Sequence, residues 1–93
     1  MGKFKVIVSD RAKKDLLNIQ KSGDKASIKK VESIISELYD HPETGIGKPE
    51  RLKYELSGLW SRQINKKDRL IYLIKDQIIT VTIVSALGHY GDK

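Results

Sequence analysis

The sequence of 93 residues predicts one α+β domain spanning residues 1–93. In this fold an N-terminal strand and a two-helix hairpin precede a four-stranded antiparallel meander. Three observations predict it. Apolar residues recur every three or four positions between residues 10 and 40, the period changes to that of strands after residue 50, and the later apolar runs are joined by turns too short for a crossover. We expect the helices to pack on one face of the sheet.

The N-terminal half predicts one strand and two helices. Residues 4–8 form a short apolar run, and Ser9 or Asp10 follows as a helix N-cap. The segment 22–24, Ser-Gly-Asp, ends the first helix and can cap the second, so we expect an αα-hairpin. The apolar positions that face the core have helical spacing: Ala12, Leu16, Ile19, Ile28, Val31, Ile35 and Leu38.

The C-terminal half predicts four strands, at residues 51–56, 59–64, 69–75 and 78–87. Turns at 57–58, 65–68 and 76–77 connect them, which favours a meander. Residues 42–50 contain two glycines and two prolines and are expected to form a loop. Their spacing matches no phosphate-binding loop.

Composition narrows the function classes. There is no cysteine, which excludes disulfides and thiolate chemistry. The apolar runs are of strand length and there is no signal-peptide pattern, so we expect a cytoplasmic protein. A net charge of +6 and a pI near 9.6 favour an anionic partner such as nucleic acid, although such a charge also serves solubility alone.

Polar residues are expected to converge at one rim of the meander. Glu50 precedes its first strand, Arg69 opens the third, and His89 and Tyr90 close the fourth. In an antiparallel meander these strand ends lie on the same side of the sheet. Lys53 and Arg62 would join this rim if their side chains faced the same way.

This set of groups suits RNA cleavage without a metal or cofactor. Attack of a ribose 2′-hydroxyl on the adjacent phosphate needs a base, a cation to neutralise the phosphoryl oxygens, and an acid for the leaving group. Glu50 or His89 can be the base, and Arg69 with Lys53 or Arg62 the charge clamp. His89 can be the acid because imidazole titrates near neutrality. Tyr90 can stack on a base or donate to the phosphate. The carboxylates show no metal-ligand spacing, and surface roles for these side chains remain open.

Four segments together carry a family resemblance. Gly-Lys-Pro-Glu-Arg-Leu-Lys at 47–53, Leu-Ser-Gly-Leu-Trp-Ser-Arg at 56–62, Asp-Arg-Leu-Ile-Tyr at 68–72 and His-Tyr at 89–90 occur in order. The chain resembles the Txe/YoeB family, toxins of type II toxin–antitoxin systems in the RelE/ParE superfamily, over essentially its whole length. The RelE-like fold of that superfamily, two helices on an antiparallel sheet, agrees with the fold predicted above.

The resemblance implies a ribosome-dependent mRNA endonuclease that a YefM/Phd-like antitoxin neutralises and that commonly dimerises. By position, Glu50 resembles the family's general base, Arg69 its transition-state clamp, His89 its acid and Tyr90 its terminal aromatic. Basic positions that resemble those approaching the RNA backbone are Lys53 and Arg62, to which we add Lys48 and Arg51.

Three departures from the family pattern affect these expectations. Gln63 stands where a second arginine is common, and Asp68 stands where histidine is common and places a carboxylate beside Arg69. Residues 91–93 extend past the His-Tyr pair and could lie against the site or fray. Two other functions also remain open: a non-catalytic gyrase inhibitor of the ParE branch, and a passive RNA- or ribosome-binding module.

Overall fold

The computed structural model describes residues 3–52, 58–66 and 68–83. In chain order the described elements are β1 Lys5–Val8, α1 Asp10–Ser22, α2 Lys25–Leu38, β2 Glu50–Arg51, β3 Leu59–Gln63, β4 Arg69–Lys75 and β5 Ile78–Ile83. This order of one strand, two helices and four strands confirms the predicted α+β class.

The two helices begin where the sequence places their caps. Ser9 is the N-cap of α1: its hydroxyl oxygen accepts from the Ala12 amide at 3.1 Å and donates to the Thr82 carbonyl at 2.9 Å. Asp24 caps α2 by accepting from the Ser27 amide. Gly23 ends α1 with a φ of 77°, a conformation that glycine adopts without strain. The cap at Ser9 therefore also fixes α1 to β5.

The described strands form one five-stranded mixed sheet in the order β1-β5-β4-β3-β2. Strands β2 to β5 pair antiparallel in succession, as the meander predicts, and β1 pairs parallel with β5. Local patterns left the partner of β1 undetermined, because parallel pairing joins segments seventy residues apart. Strand β2 lies at one edge of the described sheet, and the loop of residues 42–49 leads directly into it.

One face of the sheet carries the core. Leu70 and Tyr72 of β4 and Ile79 and Val81 of β5 are fully buried in one cluster with α2 residues such as Ile34. Because side chains alternate along strands, the intervening residues point to the opposite face, which the helices do not cover. No helix among the described residues is long and apolar enough to cross a membrane.

The described bounds differ from the predicted ones in three strands. Strand β1 begins at Lys5 rather than at residue 4. Strand β2 begins at Glu50 rather than at residue 51. Strand β3 ends at Gln63, because the Ile64 amide already donates to the Asp68 carbonyl at 2.9 Å within the following turn. Strand β4 has its predicted bounds. The rest of the predicted strand 51–56 beyond Leu52, and of 78–87 beyond Ile83, lies outside the described residues.

Candidate functional site

Glu50 and Arg69 lie on the same face of the sheet, opposite the helices. Glu50 pairs with Ser61 across β2 and β3, and Arg69 pairs with Gln63 across β3 and β4. Ser61 and Gln63 are two residues apart on one strand, so their side chains and those of their partners share a face. The register thus brings together two of the predicted rim residues. We call the side of the sheet that carries Glu50, Ser61, Gln63 and Arg69 the meander face.

The spacing on the meander face suits a single phosphodiester group. Glu50 and Arg69 are two strands and two residues apart, which places their Cα atoms about 12 Å from each other. Both side chains are long enough to approach one group lying between them. Glu50 is exposed and Arg69 half-buried, and within the described part of the chain neither side chain forms a hydrogen bond or ion pair. A carboxylate and a guanidinium are therefore presented with their bonding capacity unused.

Arg62 does not lie on this face, which corrects its expected place at the RNA. Its side chain is 0% exposed and points to the helix side of the sheet. The Arg62 side chain therefore does not face the rim with Glu50 and Arg69, as an RNA-binding role there would require. The alternation Trp60, Arg62, Ile64 was the available sequence signal, because it places Arg62 in the same row as two apolar residues.

The Arg62 guanidinium instead bonds five acceptors that hold the loop before β2. Nη1 donates to Glu37 Oε1 at 2.7 Å and to the Ile46 carbonyl at 3.2 Å. Nη2 donates to the Thr44 carbonyl at 2.8 Å and to the His41 carbonyl, and Nε donates to the Tyr72 hydroxyl at 3.2 Å. This buried network, which we call the Arg62 anchor, fixes the loop that leads to Glu50.

Tyr72 and Gly47 complete the support of that loop. The Tyr72 hydroxyl donates to the Pro42 carbonyl, and burial raises the pKa of Tyr72, which keeps the phenol protonated for this bond. The Gly47 carbonyl accepts from the backbone N–H of Gln63 at 2.7 Å. The polypeptide is thus fixed at Gly47, three residues before Glu50.

The other predicted RNA-binding residues occupy different positions. Arg51 follows Glu50 and therefore points to the helix side, where its guanidinium carbon lies 5.9 Å from the centre of the Trp60 ring. Lys48 is exposed in the loop, with a φ of 52°. Lys53 and the predicted catalytic residues His89 and Tyr90 lie outside the described residues, as does the tail at 91–93.

Asp68 is turned toward the β3–β4 turn. Its Oδ2 accepts from Asn65 Nδ2 at 3.0 Å, and the same amide donates to Ser27 Oγ at 2.7 Å. The two ion pairs within 4.0 Å in the described part of the chain, Arg11–Asp15 and Arg62–Glu37, do not involve Asp68 or Arg69. The carboxylate therefore bonds within the turn, and the Asn65 amide ties that turn to α2. Over the described ranges no group of three His, Cys, Asp or Glu residues is arranged to hold a metal ion.

The fold is that of RelE-like toxins, as comparison with solved structures shows. A YoeB dimer from Staphylococcus aureus is 32% identical with a TM-score of 0.76, over 90% of this chain and 97% of that one. A YoeB–YefM complex from the same organism gives 30% identity and a TM-score of 0.74 over the same shares.

Sequence comparison narrows this class to one family. The family model of the YoeB-like toxin of bacterial type II toxin-antitoxin systems matches residues 9–90. Toxin YoeB from Synechocystis sp. is 40% identical over 87 residues, which are 94% of this chain and 98% of that protein. The chain belongs to the YoeB family of type II toxin–antitoxin toxins.

Proposed function

We propose that this toxin is a ribosome-dependent endonuclease that cleaves mRNA in the ribosomal A site without a metal ion. The observation that supports it most is the pairing register, which gives Glu50 and Arg69 a common face with free bonding capacity. Guanidinium and carboxylate are the groups that phosphodiester transfer needs as a clamp and a proton carrier. Residues of the chain supply all the groups used.

In the proposed reaction the ribose 2′-oxygen attacks the adjacent phosphorus and the bond from phosphorus to the 5′-oxygen breaks. Glu50 or His89 accepts the 2′ proton, and His89 returns a proton to the 5′-oxygen. Arg69 neutralises the charge that develops on the non-bridging oxygens, and Tyr90 stacks on a base. The products are a 2′,3′-cyclic phosphate, which can open to a 3′-phosphate, and a 5′-hydroxyl.

Lys48, Lys53 and Arg51 are proposed to attract the RNA backbone at the edge formed by β2. Lys48 is exposed in the loop before Glu50, and Arg51 is exposed at the same sheet edge but on the helix side. Each cation that contacts the RNA backbone would contribute to the salt dependence of binding. Arg62 is not included, because its guanidinium is buried in the anchor. The net charge of +6 supports the same class of partner.

The proposed protein partners follow from the relatives. One solved structure is a YoeB–YefM complex and another a YoeB dimer, both from Staphylococcus aureus. We infer that this chain likewise binds a YefM-like antitoxin, forms a homodimer and acts on ribosomes in the cytoplasm. Masking of a basic, RNA-binding surface by an antitoxin would stop cleavage by excluding the substrate.

The experiment adds the protein to a translation extract and maps new mRNA ends by primer extension. Glu50→Gln, Arg69→Ala and His89→Ala are each expected to lower cleavage about 100-fold, the scale of a lost proton carrier or charge clamp. Lys75→Ala is the matched control for Arg69, because both flank β4 and the register places them on one face. Lys75→Ala should cleave at the wild-type rate.

A supercoiling assay in parallel tests the alternative of a ParE-like gyrase inhibitor, which the sequence leaves open. Inhibited supercoiling with intact mRNA would replace the proposed function with a gyrase function. Blocked translation without new ends would instead indicate a passive binding module.

A further inference from the structure

The Ser61 hydroxyl on β3 is buried without a hydrogen-bond partner. The residue is 1% exposed, and it is the one described residue in which a fully buried side-chain oxygen or nitrogen lacks a partner. Buried hydroxyls are bonded in the large majority of cases, since desolvation without compensation is costly. An unpaired buried hydroxyl in a native structure therefore calls for an explanation.

Ser61 lies directly beside Glu50, one of the two groups proposed as the base. It pairs with Glu50 on one side and with Ile71 on the other, so the three side chains form one row on the meander face. Directly opposed residues have Cβ atoms about 5 Å apart, within reach of a hydroxyl and a carboxylate. The next row holds Gln63 and Arg69. The unused hydroxyl thus lies between the two groups assigned to the reaction.

The chemistry of the pair is complementary. A serine hydroxyl can donate one hydrogen bond, and an ionised carboxylate only accepts. In the free protein Glu50 is exposed, so water competes for its carboxylate. RNA on the meander face would displace that water, and the nearest buried donor on the same row is the Ser61 hydroxyl. A bond from a hydroxyl to a carboxylate is short and strong in such a setting.

We propose that Ser61 is a positioning residue for Glu50, donating to its carboxylate when RNA covers the meander face. This inference rests on the proposed function and adds to it the group that orients the base. Because donation stabilises the ionised carboxylate, it also keeps Glu50 able to accept a proton at lower pH. Ser61 itself takes no proton and touches no reacting atom.

The test compares stability and activity, which should change in opposite directions. Ser61→Ala removes a buried hydroxyl without a partner, so the Tm should rise by about 4 °C or more. The kcat for cleavage should fall about tenfold with little change in KM, and the acidic limb of the pH–rate profile should move to higher pH. Ser61→Thr keeps a hydroxyl and should retain more activity than Ser61→Ala.

Ser27→Ala is the matched control, because Ser27 is a buried serine whose hydroxyl is satisfied. It donates to Asp24 at 2.8 Å and accepts from Asn65 at 2.7 Å. Ser27→Ala should lower the Tm and leave the kcat per folded molecule unchanged. The two serines thus differ in whether their hydroxyls have partners, and the opposite signs of the Tm change test this directly.

The outcomes separate this inference from the proposed function. If the wild type cleaves and Glu50→Gln does not, but Ser61→Ala cleaves at the wild-type rate or keeps the same acidic limb, only the positioning role is wrong. A lower Tm for Ser61→Ala would also overturn it, since the serine would then be structural. If Glu50→Gln cleaves normally, His89 is the base and the positioning role of Ser61 is wrong. If the wild type does not cleave, the proposed function fails and the inference fails with it.

Discussion

Replacement of Arg62 by methionine is expected to destabilise the fold more than the loss of any exposed cation. Methionine fills a similar volume but donates nothing, so Glu37 and the carbonyls of His41, Thr44 and Ile46 lose their common donor. Breaking a buried ion pair from one side costs about 3–5 kcal/mol in unfolding free energy. The Arg62 side chain here is 0% exposed and that of Glu37 29% exposed.

The partial exposure of Glu37 places the expected loss of unfolding free energy within the range of about 3–5 kcal/mol. Water can reach its carboxylate and the exposed loop carbonyls after the arginine is removed, so we expect the lower end, about 3 kcal/mol. For a domain of this size that is a large part of the total stability of about 5–14 kcal/mol. The Tm should fall by about 12 °C or more.

Urea unfolding followed by circular dichroism measures this cost, with Arg11→Met as the control. Arg11 is 66% exposed and lies 4.0 Å from Asp15 one helical turn away, a pair worth about 0.3–0.5 kcal/mol. Arg62→Lys keeps the charge but not the forked donors, so it should lie between the two. A loss from Arg62→Met no larger than about 1 kcal/mol would refute the anchor as the support of the loop.

The remaining predictions concern the same loop. Tyr72→Phe should make the free energy of unfolding less dependent on pH in the alkaline range. In the wild type the pKa of Tyr72 is raised in the folded state, so its contribution to stability is complete below about pH 10, the unfolded pKa. That contribution is lost as the pH rises through the folded pKa. Tyr39→Phe, at an exposed tyrosine, controls for the loss of a phenol. Gly45→Ala should cost about 3 kcal/mol, because φ is 125° and a Cβ would lie 1.9 Å from the Glu37 carboxylate. Gly23→Ala, with a φ of 77° and open space, should cost about 1 kcal/mol in the same urea titration.

Local patterns predicted the helices and the meander because the forces that define them are local. Ser9 and Asp24 were readable as caps, and β4 has its predicted bounds, since apolar residues and turn residues lie next to each other in the chain. The parallel pairing of β1 with β5 was not predictable in this way. It depends on which sheet edge remains free after the meander forms, and no short segment encodes that.

The site was predictable to the extent that strand direction determines it. The placement of Glu50 and Arg69 at one end of the sheet follows from the meander, whereas their common face follows from the pairing register, which the sequence did not predict. The Arg62 anchor was missed because its partners are mostly backbone carbonyls of a loop, and carbonyl positions have no sequence signature. The resemblance to the YoeB family gave the class, which the family comparison confirms. The roles assigned to individual residues remain proposals.

The contrast between Arg62 and Gln63 explains why a count of basic residues is a poor guide to this site. The two residues are adjacent on β3, so their side chains point to opposite faces of the sheet. The Arg62 guanidinium is buried and bonds the loop before β2. Gln63 lies on the meander face, where its side-chain Nε2 donates to the Asn65 carbonyl at 3.2 Å. The position where the family often has a second arginine is therefore the one that faces the proposed substrate. In this chain that position is neutral, so the proposed charge stabilisation on the described part of the meander face depends on Arg69.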